Sequence, residues 1–310
     1  MVYLPAHNVF HTRKDFDIKR VNKNLAVLTS KPLKSPFLFD SLVLSVSAKL
    51  MSGAAILAQA AVKTDKGWSG FYKLFYISQN YKKTFAPQKD IFAKTDIDTL
   101  LPQKPSQYFK YQITVLGKAD INLICAALTK ANAKYDESLA LETLDVRDFE
   151  IPLAPINPNK LADKTLSQRV CSPAALAAVL NYYGKKISLA QAVKGVYDEH
   201  ARIYGAWPLN IAFAAQQGLT AAFIRCSSLA QAEGEILQGR PVIASVAYKK
   251  GALKNAAITQ TDGHLIVIAG FDKAGNIIAA DGGATRKYDR KQFAKAWLKN
   301  KKGAAYALTD

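Results

Sequence analysis

The chain has 310 residues, room for about two domains at roughly 100–200 residues each. Hydrophobic residues make up 49% and charged residues 21%, which excludes a disordered, collagen-like or low-complexity protein. Lys and Arg number 42 against 24 Asp and Glu, a net charge of +18. Such a field favours an anionic partner without naming it. Residues 1–150 carry 21 basic and 14 acidic side chains and residues 151–310 carry 21 and 10, so the excess belongs to no single tail. The least charged stretch, residues 41–62, contains Lys49, several Ser/Gln positions and a Met51-Ser52-Gly53 turn. It reads as two strands rather than a membrane span. The N-terminal residues lack the basic and apolar regions of a signal peptide. Cys125, Cys171 and Cys226 are far apart and odd in number, so at least one free thiol is expected and no zinc site or redox dithiol.

Residues 1–34, with His7, His11 and many charges, read as an irregular arm. From residue 35 to 150 the apolar pattern alternates with period two. Leu42, Leu44 and Val46 are interleaved with serines, and Tyr111, Ile113 and Val115 mark another strand. Further strand-like runs cover residues 56–62, 71–77, 121–128 and 139–144. The expected module is an all-β sandwich, jelly-roll-like. Residues 151–160, with Pro152, Pro155 and Pro158 at every third position, disfavour helix and predict an extended linker.

After the linker, residues 161–310 predict a segregated α+β domain. Residues 172–183 bring Leu176, Val179, Leu180 and Tyr183 to one helix face and stop at Gly184. Ser188 with Gln191 opens a second helix, Pro208 a third ending at Gly218, and Ser228 with Gln231 a fourth ending at Gly239. Strands are expected over residues 241–248, 264–271, 276–281 and 304–308, with a helix after Asp289 before the last.

Cys171 stands in the first turn of the strongest helix. The unpaired N–H groups and the positive end of the helix dipole there favour a thiolate, and hence a nucleophile. Cys125 and Cys226 lie in strand-like runs and read as structural. A nucleophilic thiol needs a base. Of the four histidines, His264 opens a rigid apolar strand after Asp262-Gly263, whereas His200 sits among surface charges and His7 and His11 in the arm. Asp281, at the end of the following strand, is the expected carboxylate behind the imidazole. A two-residue turn at Ala274 and Gly275 would set it opposite Ile268, about 13 Å from His264 along the strand. A longer turn or a bulge is therefore required. Asp262 is the nearest competitor, and Asp272 reads as a turn former. Gln168, three residues before the cysteine, is the available side-chain donor for an oxyanion, with the Cys171 N–H as its partner.

The runs Arg169-Val170-Cys171-Ser172-Pro173-Ala174 and Asn181-Tyr182-Tyr183-Gly184, then Asp262-Gly263-His264-Leu265-Ile266-Val267-Ile268, then Ala280-Asp281, resemble the papain-like, bacteriocin-processing (double-glycine leader) cysteine peptidase family. Trp207-Pro208-Leu209-Asn210 and the ending Tyr288-Asp289-Arg290 with Trp297 resemble stand-alone secreted bacterial members with a β-rich domain in front. The resemblance implies a Cys171–His264–Asp281 triad, Gln168 as oxyanion donor, Trp207 and Asn210 as substrate-binding residues, a peptide or protein substrate and an extracytoplasmic location. The family usually has glycine where Ser172 stands and its glutamine further upstream than Gln168. Two outcomes stay open: hydrolysis or acyl transfer by a cysteine enzyme, and a noncatalytic peptide- or wall-binding module on the same fold. The basic charge is expected to suit anionic cell-envelope material. With no zinc-finger spacing, phosphate-cradling loop or RNA-recognition signature, no nucleic acid is expected. No metal or organic cofactor is expected either, since the histidines form no ligand cluster.

Overall fold

The computed structural model describes residues 6–11 and 16–310. They divide into two compact units. The first comprises the chain up to Ala133 with Gly195–Phe223, and the second comprises Lys134–Lys194 with Ile224–Asp310.

The first unit is built on twelve antiparallel strands: β1 (Ala6–His11), β2 (Phe16–Asn22), β3 (Leu25–Ser30), β4 (Leu33–Leu50), β5 (Ala55–Thr64), β6 (Gly67–Trp68), β7 (Tyr72–Ser78), β8 (Lys82–Thr84), β9 (Ala93–Asp96), β10 (Thr99–Pro102), β11 (Ser106–Leu116) and β12 (Ala119–Lys130). Their main order is β1-β12-β4-β11-β5-β7-β8. The long strands β4 and β11 each pair with three others, β4 with β10, β11 and β12, and β11 with β3, β4 and β5. This branching lets the network turn over a single core, where Leu42, Leu44 and Val46 of β4 meet Ile56 and Ala58 of β5, Leu74 and Ile77 of β7 and Phe109, Tyr111 and Ile113 of β11. The apolar positions of the period-two alternation face that core, while Ser45 and Ser47 between them are buried on the opposite face of β4.

Two expectations change here. Residues 6–11 and 16–30 are strands rather than an irregular arm. Residues 139–144 are not a strand. Asp136 accepts from the Ser138 and Leu139 N–H groups and caps a single helical turn, α1 (Glu137–Ala140), as a short carboxylate does at a helix start.

The remaining elements are β13 (Phe149–Glu150), α2 (Lys164–Ser167), α3 (Cys171–Tyr182), α4 (Leu189–Val196), α5 (Trp207–Gln216), β14 (Thr220–Arg225), α6 (Leu229–Leu237), β15 (Val242–Tyr248), β16 (Thr261–Phe271), β17 (Ile277–Asp281), β18 (Ala284–Tyr288), α7 (Arg290–Ala294) continuing as a π-helical turn over Lys295–Lys299, and β19 (Ala304–Thr309). Residues 195–223, expected within the α+β domain, belong to the β unit. Leu209 and Ala212 of α5 join its core, and the serines of β4 explain the attachment. Ser45 and Ser47 accept from the Phe223 and Ala221 N–H groups, so their hydroxyls satisfy backbone donors that no ladder reaches.

In the second unit the antiparallel sheet runs β19-β15-β16-β17-β18, with β13 paired to β16. Helix α3 is buried along nearly its whole length, from Ser172 to Leu180, so it reads as apolar on every face. Burying Leu176, Val179 and Leu180 contributes about 1.5–3 kcal/mol each. Its ends are fixed by hydroxyls: Ser172 and Tyr306 share a hydrogen bond of 3.1 Å, and Tyr183 donates to the Leu308 carbonyl at 3.0 Å. A helix start held in this way gives its first residue a defined place against the sheet.

Candidate functional site

Three elements of the second unit converge on one point: the N-terminus of α3, which carries Cys171, the start of β16, which carries His264, and the end of β17, which carries Asp281. The register problem between the last two has a structural answer. β16 and β17 pair Phe271 with Ile277 and Gly270 with Ile278, then slip so that Ile268 faces Ala279 and Val267 faces Ala280. A three-residue turn over residues 273–275 supplies one residue of shift and the bulge at Ala269 a second, and one further step sets Asp281 beside Ile266, two residues from His264. At about 3.3 Å per residue the separation falls to roughly half of that implied by a regular two-residue hairpin. Gly270 is needed here because a Cβ at that position would lie 2.2 Å from the Phe149 carbonyl of β13.

The imidazole Nε2 lies 2.6 Å from Asp281 Oδ1. The other carboxylate oxygen accepts from the Tyr288 hydroxyl at 2.6 Å and from the Ala257 N–H at 3.0 Å. With His264 only 8% and Asp281 2% exposed, the carboxylate is fixed from both sides. Nε2 is thereby committed, and the remaining ring nitrogen, Nδ1, is the one left for the hydrogen bond between His264 and the Cys171 sulfur.

Burial by itself pushes the Cys171 thiol up. The hydrogen bond and positive charge of His264, with the Leu265 and Ser172 N–H groups, outweigh it and bring the thiol below its ordinary value of 9.0. For His264 burial pulls down, while Asp281 and Cys171 together raise it above 6.5. Asp281 feels the same penalty of burial but is held below 3.8 by His264, Tyr288 and Ala257. These directions favour the pair as thiolate and imidazolium. The other two thiols go the opposite way. Burial raises Cys125, whose sulfur donates to the Phe223 carbonyl, and pushes Cys226 up to about 12.

A cleft of about 30 Å³ adjoins the three residues. It is lined on the helix side by Ala174 and Ala178 and on the other by Pro155, Ile156 and Pro158. The segment expected as a bare linker is thus a wall of the site. Gly282 and Gly283, with φ of 61° and 87°, make the two-residue turn from Asp281 to Ala284 that only residues tolerant of positive φ form. A Cβ on Gly283 would stand 2.4 Å from Cβ of Asn157, so the strap rests directly on the turn after Asp281.

Gln168 ends α2, is exposed, and is not among the residues that line the cleft. Trp207 and Asn210 lie in the first unit. The Trp207 N–H donates to Asp98 and its ring packs on Phe223, while the fully buried Asn210 amide donates to the Tyr204 and Ala206 carbonyls. Asp262 is an exposed partner of Lys249, and Asp272 accepts from the Ala274 and Asn276 N–H groups in its own turn. Sequence reasoning missed Tyr288 and Asn157. Tyr288 carries no signal, because only the β17–β18 hairpin returns its hydroxyl to Asp281. Asn157 sits between two cleft-lining residues. Its Oδ1 accepts from the Asn159 N–H, leaving both amide donors without a partner among the described residues. Among those residues no group of three or more His, Cys, Asp or Glu side chains is placed to hold a metal ion. No helix among them is long and apolar enough to cross a membrane.

Residues 153–305 match the family model described as Peptidase_C39 like. Two solved structures are similar to the chain. A putative C39-like peptidase from Bacillus anthracis is 18% identical over 53% of this chain and 97% of its own, with a TM-score of 0.39. A double glycine motif protease from an AMS/PCAT transporter, solved with a leader peptide, is 19% identical over 53% of this chain and 95% of its own, with a TM-score of 0.35. No protein of curated function matches.

Proposed function

The chain belongs, through residues 153–305, to the C39-like peptidase family, and from that premise we propose that it hydrolyses peptide or amide bonds through a thioester on Cys171. The observation that carries this reading is the contrast among the three thiols. Cys171 alone is held below its ordinary pKa, and it is hydrogen-bonded to a histidine whose far nitrogen is fixed by a buried carboxylate.

The thiolate of Cys171 attacks the carbonyl carbon, forming a C–S bond and placing negative charge on the oxygen. At the first position of α3 the Cys171 N–H has no intrahelical acceptor, so it is available to that oxygen. On the strap whose Ile156 and Pro158 line the cleft, the Asn157 amide donors have no partner among the described residues, and we take Asn157 rather than the exposed Gln168 as the second donor. Collapse breaks the C–N bond as His264 Nδ1 passes its proton to the leaving amine. Water then gives a proton to the same nitrogen and attacks the thioester, releasing the acid and restoring the thiol. Throughout, Asp281 orients the ring and stabilises its charge.

Alkylation tests the reading. At pH 6 iodoacetamide is expected to modify Cys171 before Cys125 or Cys226, and Cys171→Ala to abolish hydrolysis of a peptide library. Equal labelling of the three, with peptide bound but uncleaved, would instead identify a noncatalytic peptide-binding module.

A further inference from the structure

The outer face of the first unit carries an unusual set of side chains. Strands β5, β6, β7, β8 and β11 contain no Asp or Glu. One side of this surface supplies the core through Ile56, Leu74, Phe109 and Tyr111. On the other, the pairings Lys83↔Tyr76↔Leu57 and Lys73↔Gln59 cross from β8 and β7 to β5, and Lys63↔Tyr108 with Ala61↔Lys110 continue to β11. Lysine ammonium groups sit over aromatic rings along the whole array. Lys83 lies 5.1 Å from the Phe85 centroid and 5.9 Å from that of Tyr81, Lys73 5.9 Å from Phe85, Lys110 4.7 Å from Trp68 and 5.2 Å from Phe71, and Lys63 5.6 Å from Tyr108. At one end Lys73, Tyr76, Tyr81, Lys83, Phe85 and Leu57 enclose an open hollow of about 350 Å³, within the ~300–1,000 Å³ range of small-ligand sites.

We infer that this face binds an acidic polysaccharide, with sugar rings laid on Tyr76, Tyr81 and Phe85 and their carboxylates met by Lys73 and Lys83. Ammonium groups held over rings are in place before an anion arrives, so little side-chain freedom is lost on binding. The rings offer flat apolar surface to the C–H face of a sugar, and the strands themselves place no carboxylate against an acidic chain. An extended peptide fits less well. It would dock by adding a strand, but β8, at the end of the main strand order, already has its Thr84 N–H bonded to Asp198 and its Lys82 carbonyl to the Glu199 N–H. Nucleic acid fits less well too, because these strands contain lysine and no arginine, the residue whose planar fork grips phosphate in two bonds.

The test uses the full chain and fluorescein-labelled oligogalacturonate, followed by anisotropy at low salt. Lys73→Gln with Lys83→Gln is expected to weaken binding about tenfold or more, while the equally neutralised pair Lys49→Gln with Lys118→Gln, on exposed positions elsewhere in the unit, changes it less than about twofold. Tyr81→Ala and Phe85→Ala should each weaken oligogalacturonate by about fivefold and leave poly-glutamate unchanged. Tyr81 is 44% exposed at a loop, so its variant isolates stacking from folding, and unfolding midpoints of every variant verify this. Equal loss in the control pair, indifference to both ring substitutions, tighter binding of single-stranded dT20, or no binding of oligogalacturonate would each overturn the inference. Cys171→Ala is expected to bind as the parent does, so failure of hydrolysis and failure of this site are separate results.

Discussion

Both units bury carboxylates, and they use them differently. In the β unit Asp198 is fully buried and accepts only from neutral donors: the Thr84 N–H and hydroxyl and the His200 and Ala201 N–H groups. All of its acceptors are spent on holding loop 198–201 against β8. In the α+β unit Asp281 is as deeply placed, yet one of its oxygens goes to His264, a group that itself titrates and faces the cleft. The comparison teaches that a buried charge is not by itself a functional signal. What separates the two sites is whether the charge is coupled to a second ionisable group with access to a cavity.

The hardest test of that distinction is His264→Ala. Loss of the base and of the imidazolium is expected to lower hydrolysis about 10³-fold or more. It should also move the alkylation midpoint of Cys171 upward toward Cys125, because the stabilising charge is gone and the burial penalty remains. In the parent protein the thiolate should be lost as pH falls through the lowered Cys171 value and the imidazolium as pH rises through the raised His264 value. Activity therefore follows a bell whose acid limb lies below 9.0 and whose alkaline limb is pushed up to about 10. A profile whose alkaline limb falls as pH rises through about 6.5, the unshifted histidine value, would contradict the coupling.

Next in size is the oxyanion. Asn157→Ala is expected to reduce kcat about 10²-fold with little change in KM, and Gln168→Ala to leave both within about twofold. The reverse ranking would return the role to Gln168. In the β unit, Asp198→Ala should cost about 3 kcal/mol in urea unfolding, because Thr84 and two loop N–H groups lose their acceptor. A similar loss from Tyr288→Phe would be unexpected. That change removes one of two donors to Asp281 Oδ2 and should lower kcat about tenfold while moving stability by about 1 kcal/mol.

A separate effect concerns pH. Burial pushes the Asp98 carboxyl up to about 7. A raised carboxylate keeps its proton in the folded state after the unfolded chain has lost it, so stability should fall as pH rises from about 4 toward 7. Asp281 acts in the opposite sense. Its folded value is lowered, so its contribution is present above 3.8 and is lost as pH falls through the folded value. Asp98→Asn is expected to flatten the first slope and leave the second, checked by urea midpoints across pH.

Much of this was readable from residue order. The helix beginning at Cys171 and the strand that carries His264 follow from local periodicity and capping, because those signals act within a few residues. β1 to β3 were missed for a related reason. β2 is exposed along its described side chains, so neither face leaves an apolar alternation to detect.

The sequence by itself determined which residue types carry chemistry and in what order: a cysteine at a helix start, a histidine at a strand start, an aspartate at the end of the next strand. Tertiary structure decided whether they meet. A three-residue turn and the bulge at Ala269 together correct the register, α5 with its neighbours joins the β unit, and the proline strap that bears Asn157 becomes a wall of the cleft. Each of these depends on contacts between residues far apart in the chain, such as Gly270 with Phe149 and Gly283 with Asn157, and a pattern of neighbours carries no record of such contacts.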